Sequence, residues 1–194
     1  MSNYTYIYND TELLHSPGKT IYIKNEEVDG DVDFWYYNAF INNKSNHNVF
    51  IETGTHIGTG ISTAFAAGFK KAYSIEINSE YYNISKEKWN HKSNVQLYLG
   101  DTKTELPKIM EVINEPVLFW LDAHIDDSSA TYNELKIIKN HHIKTHTILI
   151  DDINLYFNKN ELIDNILKIN PDYIIGYEST WRGTQEILVA KLKN

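Results

Sequence analysis

From residue 48 onward, short apolar runs alternate with stretches whose apolar residues recur at helical spacing. The runs at 48–52, 72–76, 95–99, 117–121 and 147–150 are nearly continuous in Val, Ile, Leu and aromatics, the pattern of strands buried on both faces of a parallel sheet. Between them, Leu106, Ile109, Met110 and Ile113 share one helical face, as do Leu162, Ile163, Ile166 and Leu167 further on. Thr131 followed by Glu134 reads as a capping box opening a helix that carries Leu135 and Ile138. Strands alternating with helices predict an α/β fold with helices on both faces of the sheet.

After Pro171 the rhythm changes. The strand-like runs 172–177 and 186–192 are separated by a polar loop at 178–185 too short for a helix, so they are expected to pair as an antiparallel hairpin. Residues 1–47 are tyrosine-rich and polar, with β-prone pieces at 4–8 and 20–24 and a helix around 34–41. They are expected to form a small cap over an α/β core of residues 48–194, the whole being one domain. There are no repeats or low-complexity tracts.

Chemistry concentrates where the predicted strands end, the edge at which open α/β sheets bind ligands. Glu52, Glu76, Asp101 and Asp122 each close or directly follow a run, and Asp151-Asp152 close the fifth. The first run leads into ETGTHIGTG at 52–60 and then a helix, a turn whose glycines allow close backbone approach and whose helix start offers free N–H groups. Glycines at 54, 58 and 60 do not match the G-x-G-x-x-G spacing of dinucleotide sites, and Glu52 would repel a pyrophosphate. An ammonium and a sulfonium would suit it, which favours S-adenosylmethionine. Glu76 is placed to accept from ribose hydroxyls, and Gly100-Asp101 to meet an adenine.

On this acid series the chain resembles the class I S-adenosylmethionine-dependent methyltransferases over roughly residues 48–192. The resemblance implies a Rossmann-like sheet of order 3-2-1-4-5-7-6 with the last strand antiparallel. It also implies a cofactor set of Glu52, Thr53, Gly54, Thr55, Gly58, Glu76, Asp101 and Asp122. Asp122, Asp151 and Asp152 converging without nearby cations would repel one another; a hard divalent cation resolves the conflict, and an oxygen shell suits Mg²⁺, with Mn²⁺ as second choice. The sequence LDAH followed one helix later by DD is similar to the metal-dependent O-methyltransferases of the catechol type and, more closely, of the macrocin and novobiocin sugar type. That likeness implies Asp122, Asp151 and Asp152 as metal ligands.

At the position where the sugar type carries an aspartate base this chain has His124, and where the catechol type carries a lysine it has Ile125. His124 is chemically competent as a general base, as a metal ligand favouring Mn²⁺ or Fe²⁺, or as a hydrogen-bonded neighbour, with Asp126 and Asp127 as alternative bases. His124 and Asp122 are thus the candidate catalytic residues. Trp181 and Arg182, near the hairpin tip, are candidates to clamp an anionic or sugar substrate. His141, His142 and His146 crowd a helix end, where cationic rings would favour the helix dipole.

Composition narrows the partners. The 194 residues carry a net charge of -8, and no basic cluster exceeds a pair, which disfavours nucleic acid. No apolar run approaches the ~20 residues that span a bilayer, and the amino terminus lacks a basic then apolar leader, so no membrane partner and a cytoplasmic location are expected. With no cysteine, thiolate metal sites and a cysteine nucleophile are excluded. The reading is a metal-assisted O-methyltransferase acting on a small-molecule hydroxyl, such as that of a sugar, with a homodimer common among such enzymes. The alternatives are a non-catalytic binder of the same cofactor, or a same-fold enzyme acting on nucleotide-linked sugars without methyl transfer.

Overall fold

The computed structural model describes residues 31–124, 128–180 and 182–193, together with the backbone of residues 4–8, 11–16 and 19–23. The core is a seven-stranded sheet made by β4 (Val49–Thr53), β5 (Lys71–Glu76), β6 (Val95–Leu99), β7 (Leu118–Leu121), β8 (Thr147–Ile150), β9 (Ile174–Thr180) and β10 (Gly183–Lys191). Their spatial order is β6-β5-β4-β7-β8-β10-β9, which is 3-2-1-4-5-7-6 when these seven are counted along the chain. β10 is antiparallel to both of its neighbours, and the other pairings are parallel. Fold class and strand order are those expected from the sequence.

Side chains alternate across a strand, so the apolar runs feed two cores. Ile51, Ile75, Phe119, Leu121, Ile148 and Ile150 pack on one face, against the helices α4 (Thr102–Val112), α5 (Ser129–Asn140) and α7 (Lys159–Leu167). Phe50, Leu118, Trp120 and Leu149 pack on the other, against α1 (Phe34–Asn43), α2 (Thr59–Ala66) and Trp89 at the end of α3 (Ser79–Trp89). Fully burying a side chain of this size contributes about 1.5–3 kcal/mol, and β4, β7 and β8 are buried at every position.

Before α1 lie β1 (Tyr4–Tyr8), β2 (Thr11–Ser16) and β3 (Lys19–Ile23), an antiparallel sheet in that order. The outer strands fall on the β-prone pieces; β2 was not anticipated. Asp33 caps α1, its carboxylate accepting from the N–H groups of Trp35 and Tyr36 at 2.8 and 3.0 Å. Among the described residues no helix is long and apolar enough to cross a membrane.

Two expectations are corrected. Thr131 and Glu134 form no capping box: α5 begins at Ser129, and both side chains are fully buried inside the helix, Glu134 beside Thr53 and Thr102. The polar segment 178–185 is mostly strand. β9 runs on to Thr180 and β10 starts at Gly183, with a register irregularity between Gly183 and Ile187 and a left-handed Gln185 (φ 58°) absorbing the extra length.

Candidate active site

The glycine turn is shaped by what crowds it. Gly54 has φ +85°, and a Cβ there would lie 2.5 Å from the Asp122 carbonyl oxygen, so only glycine lets the turn cross the end of β7. At Gly60 a Cβ would fall 1.7 Å from Glu52 Oε1. The start of α2 therefore sits directly on the Glu52 carboxyl. Glu52 is 1% exposed and accepts from Ser74 Oγ at 2.7 Å, and Ser74 Oγ is 2.5 Å from Thr55 Oγ1. Burial pushes the Glu52 pKa up to about 8, against the Ser74 hydrogen bond and helped by nearby Glu76. In the ligand-free chain burial thus favours the neutral acid over the anion of the charge argument.

A cavity of 480 Å³ opens beside the turn. Of the residues expected around the cofactor, Gly54, Glu76, Asp101 and Asp122 line it. Glu52, Thr53 and Thr55 are buried, and Gly58 sits at the start of α2, where a Cβ would lie 2.6 Å from Trp89 Nε1. Glu76 is fixed by two backbone donors: His56 N–H to Oε2 at 2.7 Å and Asn78 N–H to Oε1 at 2.8 Å. Asp101 caps α4 through the Lys103 N–H at 2.8 Å. Sequence reasoning missed His56, Ile77, Asn78, Tyr81, Ser129 and Ala130 as cavity residues. Ile77 carried a signal, an apolar side chain directly after the acid that ends β5; it is 60% exposed.

Beyond Asp122 the cavity meets a cluster of charge. Asp122 follows β7 and is tied to β4 by its N–H, which lies 3.1 Å from the Thr53 carbonyl. His124 is 7% exposed and sits edge-on to Phe157 and tilted against Tyr156. Its Nε2 lies 3.8 Å from Asp122 Oδ1 and 3.6 Å from Asp152 Oδ2, and neither ring nitrogen has a hydrogen-bond partner. Asp152 has φ 52°, a left-handed conformation that Asp tolerates and that turns the chain sharply after β8 into the short helix α6 (Ile153–Tyr156).

Asp151, 1% exposed, faces another way. Its Oδ2 accepts from Tyr36 OH at 2.8 Å and from Arg182 Nη2 at 3.2 Å, and Arg182 also contacts Asp152 Oδ1. The sequence reading of acids converging without a cation is corrected here: the hairpin tip brings Arg182 between them. Burial raises the Asp122 carboxyl well above the usual range, with Asp151 and Asp152 adding to it. Burial likewise raises Asp151, with the charge of Asp152 adding to it. For Asp152 burial works in the same direction, but His124 and Arg182 outweigh it and hold the carboxyl low. Ile125, Asp126, Asp127 and Trp181 lie outside the described residues.

The residues fit a divalent cation. Asp122, His124 and Asp152 each offer a donor atom, all within 4.8 Å of one another. The buried imidazole has no other partner, a condition that folded proteins rarely leave unanswered.

No protein-family profile and no curated protein sequence matches the chain. Solved structures do. The TDP-rhamnose 3'-O-methyltransferase CalS11 of calicheamicin biosynthesis is similar at TM-score 0.59 and 15% identity, over 81% of this chain and 78% of that one. The O-methyltransferase from Bacillus cereus in complex with S-adenosylhomocysteine is similar at 0.56 and 17%, over 81% and 79%. Fibrillarin, in its complex with Nop5p, is similar at 0.54 and 16%, over 97% of each chain. With the strand order above, these likenesses establish a class I methyltransferase fold; the fold alone does not select the acceptor.

Proposed function

We propose that this protein is an S-adenosylmethionine-dependent O-methyltransferase acting on a hydroxyl of a small molecule such as a sugar, assisted by a divalent cation. One observation carries the reading: Asp122 belongs both to the 480 Å³ cavity beside the glycine turn and to the Asp122, His124, Asp152 cluster. A cofactor held along the cavity would present its methyl group where a metal-anchored acceptor waits. Glu76, Ile77 and Asp101 on the cavity wall support a nucleoside there: Glu76 would accept from the ribose hydroxyls, and Asp101 and Ile77 would hold the adenine. The similarity to CalS11 and the Bacillus cereus enzyme supports methyl transfer to oxygen.

In this mechanism Asp122 and Asp152 would hold the cation. When bound, the cation lowers the pKa of a coordinated hydroxyl and orients it. The acceptor proton would pass to the Asp122 carboxylate, whose affinity for a proton burial raises. Oxyanion attack on a sulfonium removes two opposite charges, so alignment and exclusion of water count for more than charge stabilisation. Tyr36 brings α1 onto Asp151 from the side of Trp120, which supports a covering role for the amino-terminal segment.

Calorimetric titration with S-adenosylhomocysteine, with NAD as control, tests the reading. Micromolar binding of the nucleoside and none of NAD is expected. Absence of nucleoside binding sinks the proposal, and binding without turnover on any vicinal-diol or catechol acceptor would favour the non-catalytic alternative.

A further inference from the structure

We infer that the metal centre of this chain is an Asp122, His124, Asp152 site that takes a borderline divalent transition ion in preference to Mg²⁺, and that Asp151 is held out of it by Tyr36 and Arg182. The inference rests on the proposed function only for what the metal does; the site itself follows from the side chains.

His124 is the first argument. Its side chain is 1% exposed, both ring nitrogens lack a hydrogen-bond partner, and Nε2 points between two carboxylate oxygens. Donors ringed around one ion at about 2.1 Å stand roughly 3.0–3.6 Å apart. The observed separations of 3.6 and 3.8 Å are longer than hydrogen bonds and close to that spacing. A buried imidazole left without partners is destabilising; an ion between Nε2, Asp122 Oδ1 and Asp152 Oδ2 would satisfy it.

The second argument is the division of labour between the adjacent acids. Asp152 turns Oδ2 to His124 and Oδ1 to Arg182, so it can hold an ion and the guanidinium at once. Asp151 spends Oδ2 on Tyr36 and Arg182 together, one from α1 and one from the hairpin tip. With that oxygen committed twice, Asp151 acts as the post to which Tyr36 and Arg182 are tied; its Oδ1 has no hydrogen-bond partner, but Asp151 is not one of the three residues whose donor atoms gather within 4.8 Å. Replacing one oxygen donor by an imidazole moves the preference away from Mg²⁺, which favours oxygen ligands, toward Mn²⁺, Fe²⁺ or Co²⁺.

The test is calorimetric titration of the purified protein with Co²⁺, Mn²⁺ and Mg²⁺, without cofactor, beside His124→Gln and Asp151→Asn. Thermal melting confirms that each variant is folded. Co²⁺ is expected to bind at least 30-fold more tightly than Mg²⁺. His124→Gln is expected to lose 10-fold or more for Co²⁺ and to narrow the gap to Mg²⁺, whereas Asp151→Asn stays within threefold of wild type. Spin-echo modulation of bound Mn²⁺ in protein labelled with ¹⁵N-histidine reports the imidazole directly. Equal affinity for Mg²⁺ and Co²⁺, an unaffected His124→Gln, a large loss in Asp151→Asn, or no metal binding at all would each overturn the inference. S-adenosylhomocysteine titrated into the same preparations separates the outcomes. Nucleoside binding without metal binding removes this inference and the cation from the proposed mechanism but leaves methyl transfer standing, and metal binding without nucleoside binding removes the methyltransferase reading but leaves the site.

Discussion

Buried histidines stand at both ends of the adjacent strands β7 and β8, and they are treated in opposite ways. Before the strands begin, the Val117 N–H donates to His146 Nδ1 at 3.2 Å, His146 Nε2 lies 3.0 Å from His141 Nδ1, and His141 Nε2 lies 3.2 Å from the Ile113 carbonyl. Only one arrangement of protons fits: both rings neutral and protonated on Nε2, each donating onward. Beyond the strands, His124 is as deeply buried but has neither nitrogen hydrogen-bonded. The same residue type is thus structural where its bonding capacity is spent inside the protein, and a candidate for ligand chemistry where it is held in reserve.

The largest expected effect separates the two ends by substitution. His146→Leu strands the Val117 N–H and His141 Nδ1, so it is expected to lose about 2–4 kcal/mol, a fall in Tm of roughly 5–10 °C, with nucleoside affinity unchanged. His124→Leu removes a group that has no hydrogen bond to lose and is expected to stay within about 1 kcal/mol of wild type while metal affinity collapses. Urea melts of the pair check this, and equal destabilisation would erase the distinction.

Next comes pH. Burial, then the neighbouring His141, push the His146 pKa down to about 3 from 6.5. A depressed histidine contributes stability that is complete above 6.5 and lost as pH falls toward 3, because the unfolded chain takes up the proton first. The advantage of wild type over His146→Leu is expected to shrink by about 2 kcal/mol between pH 6.5 and 5. A gap that stays constant with pH would mean that His146 takes up its proton as readily in the folded protein as in the unfolded chain.

The smallest effect concerns Glu52. With its pKa pushed up to about 8, the acid is mostly protonated in both the folded and the unfolded chain near pH 4, so Glu52→Gln is expected to change stability by less than about 1 kcal/mol there, and to become the more stable form as pH rises toward 7 and only the unfolded chain ionises. A loss above 2 kcal/mol would show that the acid beneath the turn is ionised.

The contrast also marks what the sequence could disclose. The β4, β7 and β8 runs were legible because two-sided burial leaves an unbroken apolar signature, and the acids after them were conspicuous as the first polar residues. Asp122 and Glu76 lie on the cavity wall, since strand ends fix them. What was hidden depends on partners distant in sequence. His141 and His146 read as cations at a helix end, yet they pair with each other and with β7. The bond from Tyr36 to Asp151 joins residues 115 apart, and nothing local in either segment announces it. Arg182 was noticed at the hairpin, but not that the bulged strands would carry it onto Asp151.

That last contact has a consequence for the order in which the molecule can be completed. The residues lining the cavity run from Gly54 to Ala130, whereas the acid cluster joins Tyr36 to Arg182. A chain emerging from the ribosome has every residue of the nucleoside cavity well before the hairpin that neutralises Asp151 and Asp152 has been made. β10, which must slot between β8 and β9, is the last of the seven sheet strands to appear. The two halves of the site are therefore separated in time as well as in sequence, and the charged half can close only after the hairpin strands have been made.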